Sequence, residues 1–144
     1  NSGAQVYISD IDRSKLDSIE NNNITPIDDA LSFECDLFSP CAIGAIFTKS
    51  SINNLKCKII AGGANNQLLD ASIAKDLHDI GIVFIPDILI NSGGVIGLTK
   101  DLLHRDEAQT EMALKDIAKR VKGLMISSKE NSISILEALN KQTL

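Results

Sequence analysis

The sequence is 144 residues long, one domain's worth, which is enough to bury a core without disulfide or metal staples. Hydrophobic residues make up 44% and charged residues 23%, the balance of an ordinary soluble globular protein. A net charge of −5, with 3% aromatics and no Trp, argues against nucleic acid, since a single-strand groove needs positive charge and stacking rings.

The chain opens at Asn1-Ser2-Gly3 without Met and directly before a strand, so an internal start is expected. Val6-Tyr7-Ile8 is short, apolar and β-prone and gives way to Ser9-Asp10. The polar stretch from Asp12 to Asn23 carries Leu16 and Ile19 at helical spacing. Ile24-Thr25-Pro26 reads as a second extended piece, with Pro26 starting a short helix through Leu31. Asp36-Leu37-Phe38 is a strand stopped by Ser39-Pro40. A short helical segment is expected around Ser51 to Leu55, then a buried strand from Cys57 to Ala61, closed by Gly62-Gly63. Leu68, Ile73, Leu77 and Ile80 predict a helix over Leu68 to Ile80, capped by Gly81. Ile82-Val83-Phe84-Ile85 is a strand ended by Pro86-Asp87.

Strands alternate with helices, and their apolar runs are continuous rather than alternating. Both facts predict an α/β fold, a Rossmann-like doubly wound parallel sheet with helices on two faces. The last third reads as all helix, His104 included, with Ile117, Val121 and Leu124 lining one face from Asp106 onward. Glu111–Lys115 and Asp116–Arg120 are favourable i,i+4 pairs, which makes the Lys115–Lys122 cluster a solvated face rather than a nucleic-acid patch. Ser134 with Glu137 fits a capping box opening a last helix. The expected organisation is a partial dinucleotide-binding domain over 1–105 and C-terminal helices of the same domain over 106–144.

Cys35, Cys41 and Cys57 are odd in number and lack CxxC spacing. They predict no zinc site and no disulfide framework, three small core residues, and a reducing cytoplasm. No apolar run nears the ~20 residues a bilayer requires, so no membrane partner is expected. His78 and His104 read as lone packing or surface residues. Neither a Ser-His-Asp pattern nor carboxylate–histidine metal spacing occurs.

In doubly wound sheets, ligands sit beyond the carboxyl ends of the strands. Asp10 follows the first strand. It can accept hydrogen bonds from an adenosine ribose, favouring NAD over NADP, or it can N-cap the following helix. Arg13 lies near enough in sequence to offset its repulsion of a 2′-phosphate. Pro40-Cys41-Ala42 follows the strand ending at Phe38, where small residues admit a flat cofactor or simply make a tight turn. Gly62-Gly63-Ala64-Asn65-Asn66 combines close backbone approach with two amides, or is a helix start capped by Asn. Its glycine spacing is neither GxGxxG nor a P-loop. Asn91-Ser92-Gly93-Gly94-Val95 again puts glycines and an amide past a strand end. Three such loops together describe one cofactor crevice.

In this order, Asp36 through Ala45, Ile59 through Leu68 and Gly81 through Val95 resemble the leucine dehydrogenase branch of the Glu/Leu/Phe/Val dehydrogenases. The resemblance covers most of the chain and weakens after Asp106. It implies an enzyme that oxidatively deaminates an L-amino acid to a 2-oxo acid, passing hydride to NAD or NADP, usually as a homo-oligomer. By resemblance Asp10 holds the adenosine ribose, Ala42 lies against the cofactor, and Asn65 contacts the nicotinamide-ribose end. Asn66 and Asn91 sit where substrate and cofactor meet. Val95 and Leu98 fall on the positions that line the substrate pocket, and their spacing puts them on one helix face. Leu98 cannot pair a substrate carboxylate, so a branched-chain amino acid is expected, with phenylalanine or glutamate as alternatives. A non-enzymatic nucleotide-binding module is the reading from a different class.

Gly63 and Ser92 depart from the branch in ways that keep the residue small. The glycine-rich fingerprint expected ~20 residues before Asp10 is missing, as only nine residues precede it. The family's catalytic lysines and aspartate belong to a further domain. No residue of this chain is expected to be catalytic, and the chain alone is expected to be inactive.

Overall fold

The structure is a computed structural model, and it describes residues 3–19 and 23–142. Its strands are β1 (Val6–Ile8), β2 (Ile24–Pro26), β3 (Glu34–Phe38), β4 (Lys56–Ile60) and β5 (Val83–Phe84). Its α-helices are α1 (Arg13–Asp17), α2 (Ile73–Asp79), α3 (Asp87–Ile90), α4 (Ser92–Leu98), α5 (Glu107–Asn131) and α6 (Ile135–Gln142), with a 3-10 turn at Ser51–Asn54. The fold is mixed α/β with parallel strands and C-terminal helices, as the sequence predicts.

The sheet comes in two pieces. β1 pairs in parallel with β2, and β3, β4 and β5 form a second parallel set in that order. The ring of Tyr7 on β1 packs on Phe33, just before β3, with centroids 4.4 Å apart. Glu34 faces Lys56 and Cys35 faces Cys57 in the β3–β4 register. Lys58 donates to Asp36 at 2.7 Å on the exposed side, and that hydrogen bond, with the added charge attraction, holds the Asp36 carboxyl below its usual range.

Two apolar cores flank β4 and β5. Ile60 and Phe84 enter one with Phe47, Ile73, Ala74 and Leu77. Ile59, Val83 and Ile85 pack into the other with Leu89, Leu124, Ile135, Ala138 and Leu139. This alternation is what a strand's two-residue period produces when both faces are covered. Phe47 is fully buried and meets Phe38 and Phe84 edge to face, at 5.9 and 6.4 Å. On the other piece the cover is incomplete: Val6 and Tyr7 are exposed, and so is Leu37 on β3.

Several expectations are corrected. Pro26 ends β2 instead of opening a helix, and residues 27–33 form bends around the Asp29 carboxylate, which accepts from Leu31 N and Ser32 Oγ. Such local side-chain bonding competes with helix. Asp70 likewise caps a turn through Ser72 N, so α2 starts at Ile73 rather than Leu68. Gly93 and Gly94 lie inside α4 and not in a loop. Residues 99–106 are turns and open chain rather than helix. Of the three cysteines only Cys57 is buried, and burial first, then Cys35, pushes its thiol up to about 11. Cys41 is exposed, because it follows buried Pro40 on the crest of an open loop.

α5 opens with a reciprocal capping box between Asp106 and Gln109 and ends at Ser132 in the left-handed region, φ 52°. The chain then turns back into α6. Glu137 accepts from Ser134 N at 2.8 Å and from Ser134 Oγ at 2.7 Å, while Glu137 N donates to Ser134 Oγ at 3.2 Å. The Ser134 side chain, then its backbone N–H, lowers the Glu137 carboxyl below its ordinary 4.5. A carboxyl lowered on folding stabilises above its ordinary value and loses that contribution as pH falls through the lowered one. Glu137→Gln is therefore expected to be less stable than wild type near neutral pH. Urea midpoints should converge as pH drops below 4.5. A gap that stays constant down that range would refute the assignment.

Candidate functional site

The loops after β3, β4 and β5 meet at the carboxyl ends of the strands, and close backbone approach joins them. Gly62 lies so near Pro40 that a Cβ there would overlap the Pro40 backbone and ring. Ala64 N donates to Pro40 O at 2.9 Å. A Cβ on Gly44 would stand 2.7 Å from Asn65 O. Ala45 N donates to Asn66 O at 2.7 Å and Phe47 N to Gln67 O at 3.1 Å, so residues 44–47 run alongside 65–68. Ala45 and Asn66 both take the left-handed backbone, at φ 53° and 51°.

The third loop holds the second through side chains. Asn91 Nδ2 donates to Gly63 O at 2.9 Å, Ala64 O at 3.2 Å and Asn65 Oδ1 at 3.0 Å. Its two N–H groups are thus shared among three acceptors. From beneath, the buried Gln67 donates through Nε2 to Gly62 O and Ala64 O, both at 2.8 Å. Gln67 directly follows the 62–66 stretch of glycines and amides, and nothing in the sequence marks it as a buried carboxamide beneath the turn.

Asn65, Asn66 and Asn91 therefore gather at one cluster of loops, with Ala42 exposed on the adjoining 39–46 loop. The reading of Asn65-Asn66 as a helix cap falls, because α2 begins several residues later at Ile73, after Ser72. Asn91 immediately precedes α4, and Val95 and Leu98 follow on that helix, 62% and 87% exposed. They line an open surface rather than an enclosed pocket. The opposite side of α4 packs toward α5 around a cleft of about 220 Å³ bordered by Ser92, Ile96, Ala113 and Ile117.

Asp10 belongs to the other sheet piece, just past β1. It does not cap α1: that role falls to Asp12, whose carboxylate accepts from Ser14 N. Asp10 Oδ1 instead accepts from Asp12 N at 2.9 Å, and Lys15 Nζ approaches it to 3.8 Å. Arg13 is paired with Asp28. His78 lies on α2, and His104 sits in a left-handed turn, φ 50°. Among the described residues, no group of three His, Cys, Asp or Glu could hold a metal, and no helix is long and apolar enough to cross a membrane.

Residues 3–142 match the family model described as Glutamate/Leucine/Phenylalanine/Valine dehydrogenase. The leucine dehydrogenase of Thermoactinomyces intermedius is 39% identical over 120 residues, covering 81% of this chain and 32% of that protein. The phenylalanine dehydrogenase of Lysinibacillus sphaericus is 31% identical over 148 residues, covering 97% of this chain and 39% of that one. The crystal structure of L-tryptophan dehydrogenase from Nostoc punctiforme superposes with a TM-score of 0.88 at 29% identity, covering 95% of this chain and 43% of that one. The chain thus spans between 32% and 39% of the length of these two curated relatives.

Three substitutions test this cluster of loops. Gly62→Ala forces backbone apart and is expected to cost about 3 kcal/mol or more. Asn91→Ala leaves carbonyls short of a donor, at about 1–3 kcal/mol, and Asn91→Asp is worse because a carboxylate then faces three oxygens. Urea midpoints should fall in the order wild type, Ala, Asp. An Asp variant more stable than the Ala variant would contradict the donor role of Asn91.

Proposed function

Since the chain belongs to the Glutamate/Leucine/Phenylalanine/Valine dehydrogenase family, we propose that it forms the NAD-binding part of an enzyme that oxidatively deaminates a branched-chain L-amino acid to its 2-oxo acid and ammonia. The observation that carries this reading is the meeting of three small, amide-bearing loops at the carboxyl ends of β3, β4 and β5. The two-piece sheet supports the domain organisation of this reading. A doubly wound dinucleotide-binding sheet has strand order 3-2-1-4-5-6. The pieces β2-β1 and β3-β4-β5 are what that order leaves when its first strand is taken out. In this reading residues 1–105 are a partial Rossmann domain, and 106–144 are helices that complete its packing. The missing strand and its glycine-rich loop come from elsewhere in the full protein.

The residues present suit a dinucleotide. Gly62 admits no side chain at its contact with Pro40, a Cβ on Gly63 would meet only Cys41 Sγ, at 3.8 Å, and Asn65 is exposed. Asp10 stands past β1, where a carboxylate accepts hydrogen bonds from ribose hydroxyls and repels a 2′-phosphate. Arg13 is held by Asp28 and so does not offset that repulsion; Lys15 at 3.8 Å does so only in part. NAD is accordingly favoured over NADP. When bound, NAD accepts the hydride from the substrate α-carbon. This chain's part is to orient and enclose: Ala42 lies against the cofactor, Asn65 and Asn91 fix its nicotinamide-ribose end, and Asn66 faces the substrate. Proximity and exclusion of water are its contributions to rate.

Val95 and Leu98 form the side-chain wall of the substrate pocket, and their exposed faces would be covered by the substrate-bearing domain. An apolar wall leaves a substrate carboxylate unpaired at a cost of several kcal/mol, which disfavours glutamate. Phenylalanine is the second reading, favoured by the phenylalanine dehydrogenase relative, which matches over 97% of the chain.

The test is NADH formation by the full-length protein with Leu, Val, Ile, Phe or Glu, with NAD and then with NADP. Turnover of the branched-chain set with NAD is expected. Glutamate-only turnover would overturn the pocket, and no turnover of any by folded protein would overturn the enzyme reading. Leu98→Ser is expected to shift kcat/KM from leucine toward glutamate by about tenfold or more, the scale of one buried hydrogen bond to a charged group. An unchanged ratio would remove Leu98 from the pocket.

A further inference from the structure

The one-turn helix α3 grips the 63–66 loop at both of its ends. At the start, Asp87 Oδ2 accepts from Asn66 N at 2.8 Å. At the end, Asn91 Nδ2 donates to Gly63 O, Ala64 O and Asn65 Oδ1. The two residues are four apart and therefore share a helix face. Asn91 N also donates to Asp87 O at 2.8 Å, closing the bracket on itself. Its polarity matches the loop, with an acceptor where the loop presents an N–H and a donor where it presents oxygens.

Asn66 is the point where such a grip matters. It holds a left-handed backbone, φ 51°, which a residue with a side chain adopts at a cost. A charge-assisted hydrogen bond from its N–H is among the stronger local restraints available. Directly after Asn91 the chain enters α4, which carries Val95 and Leu98. The loop proposed to meet the nicotinamide and the helix proposed to meet the substrate side chain are thus held through one short element.

We propose that Asp87 is a positioning residue that, by holding the Asn66 N–H, keeps the nicotinamide-side loop in register with the substrate helix α4. The proposal rests on the functional reading above. Its chemistry is geometric: a misplacement of about 1 Å between reacting groups costs on the order of a hundredfold in rate, while the adenosine end of the cofactor stays bound at Asp10.

The experiment uses the full-length enzyme with three variants. Asp87→Ala is expected to lower kcat ten- to a hundredfold while the KM for NAD changes less than threefold. Asp87→Asn keeps an oxygen acceptor and is expected to recover kcat to within about threefold of wild type. Ser134→Ala, which weakens the remote α6 cap, is expected to lower the unfolding midpoint without touching kcat. Hydrogen exchange of the Asn66 amide, followed in the same preparations, should speed up in Asp87→Ala and not in Ser134→Ala. An Asp87→Ala enzyme with wild-type kcat overturns the proposal, as does one whose kcat loss Asp87→Asn does not relieve. If the wild-type protein turns over none of the amino acids, the enzyme reading fails by itself. Unchanged Asn66 exchange in Asp87→Ala then overturns the grip, and faster exchange upholds it.

Discussion

Backbone groups withdrawn from water need hydrogen-bond partners, and the turn after β4 is where that demand is sharpest. Gly62 is pressed against Pro40 and Ala64 is buried, so neither carbonyl has ready access to solvent. No strand or helix supplies the partners. Gln67 from below and Asn91 from the side do, through carboxamide groups that can donate twice without carrying charge. The conformation of the 62–66 turn, the seating of the 39–47 loop on it and the entry angle of α4 all depend on those few bonds. Charged donors in their place would carry a desolvation cost that carboxamides avoid.

The two cores serve that turn from behind. Ile60 and Phe84 point into the core organised by Phe47, and Ile59, Val83 and Ile85 into the one closed by α5 and α6. Because β4 and β5 are clamped on both faces, their carboxyl ends make a fixed rim from which the loops depart. The rim is packed on both faces where the loops depart, while β1, just before Asp10, meets the residue preceding β3 through Tyr7 on Phe33.

Much of this was legible from residues. Continuous apolar runs marked the parallel strands, and Val6-Tyr7-Ile8 was placed residue for residue. Gly81 at φ 83° and the Ser134–Glu137 box confirmed local rules that act within a few residues. The two misplaced helix starts have a common origin. Asp29 and Asp70 turned expected helix starts into Asx-type turns, where a short polar side chain outbids the helix for backbone N–H groups. Gly93 and Gly94 read as loop by propensity but sit in α4, where Gly93 faces Leu114 of α5 with room for an ordinary contact: a Cβ there would lie 3.5 Å from its Cδ2. The site residues were legible by type, as amides and glycines past strand ends, but not by partner. Nothing in the sequence says that the amide group of Asn91 is engaged with the 63–65 loop, or that Asp87 reaches Asn66.

The reversal at Ser132 has a consequence for how the protein is made. α6 returns across the sheet so that Ile135, Ala138 and Leu139 close the core begun by Ile85 and Leu89, some fifty residues earlier in the chain. Contacts of such long sequence separation form late. During synthesis the strands and the crevice loops leave the ribosome while one side of their sheet is still bare. The apolar sides of Ile59, Val83 and Ile85 stay open to other chains until α6 has emerged, and exposed apolar surface of that kind is prone to aggregation.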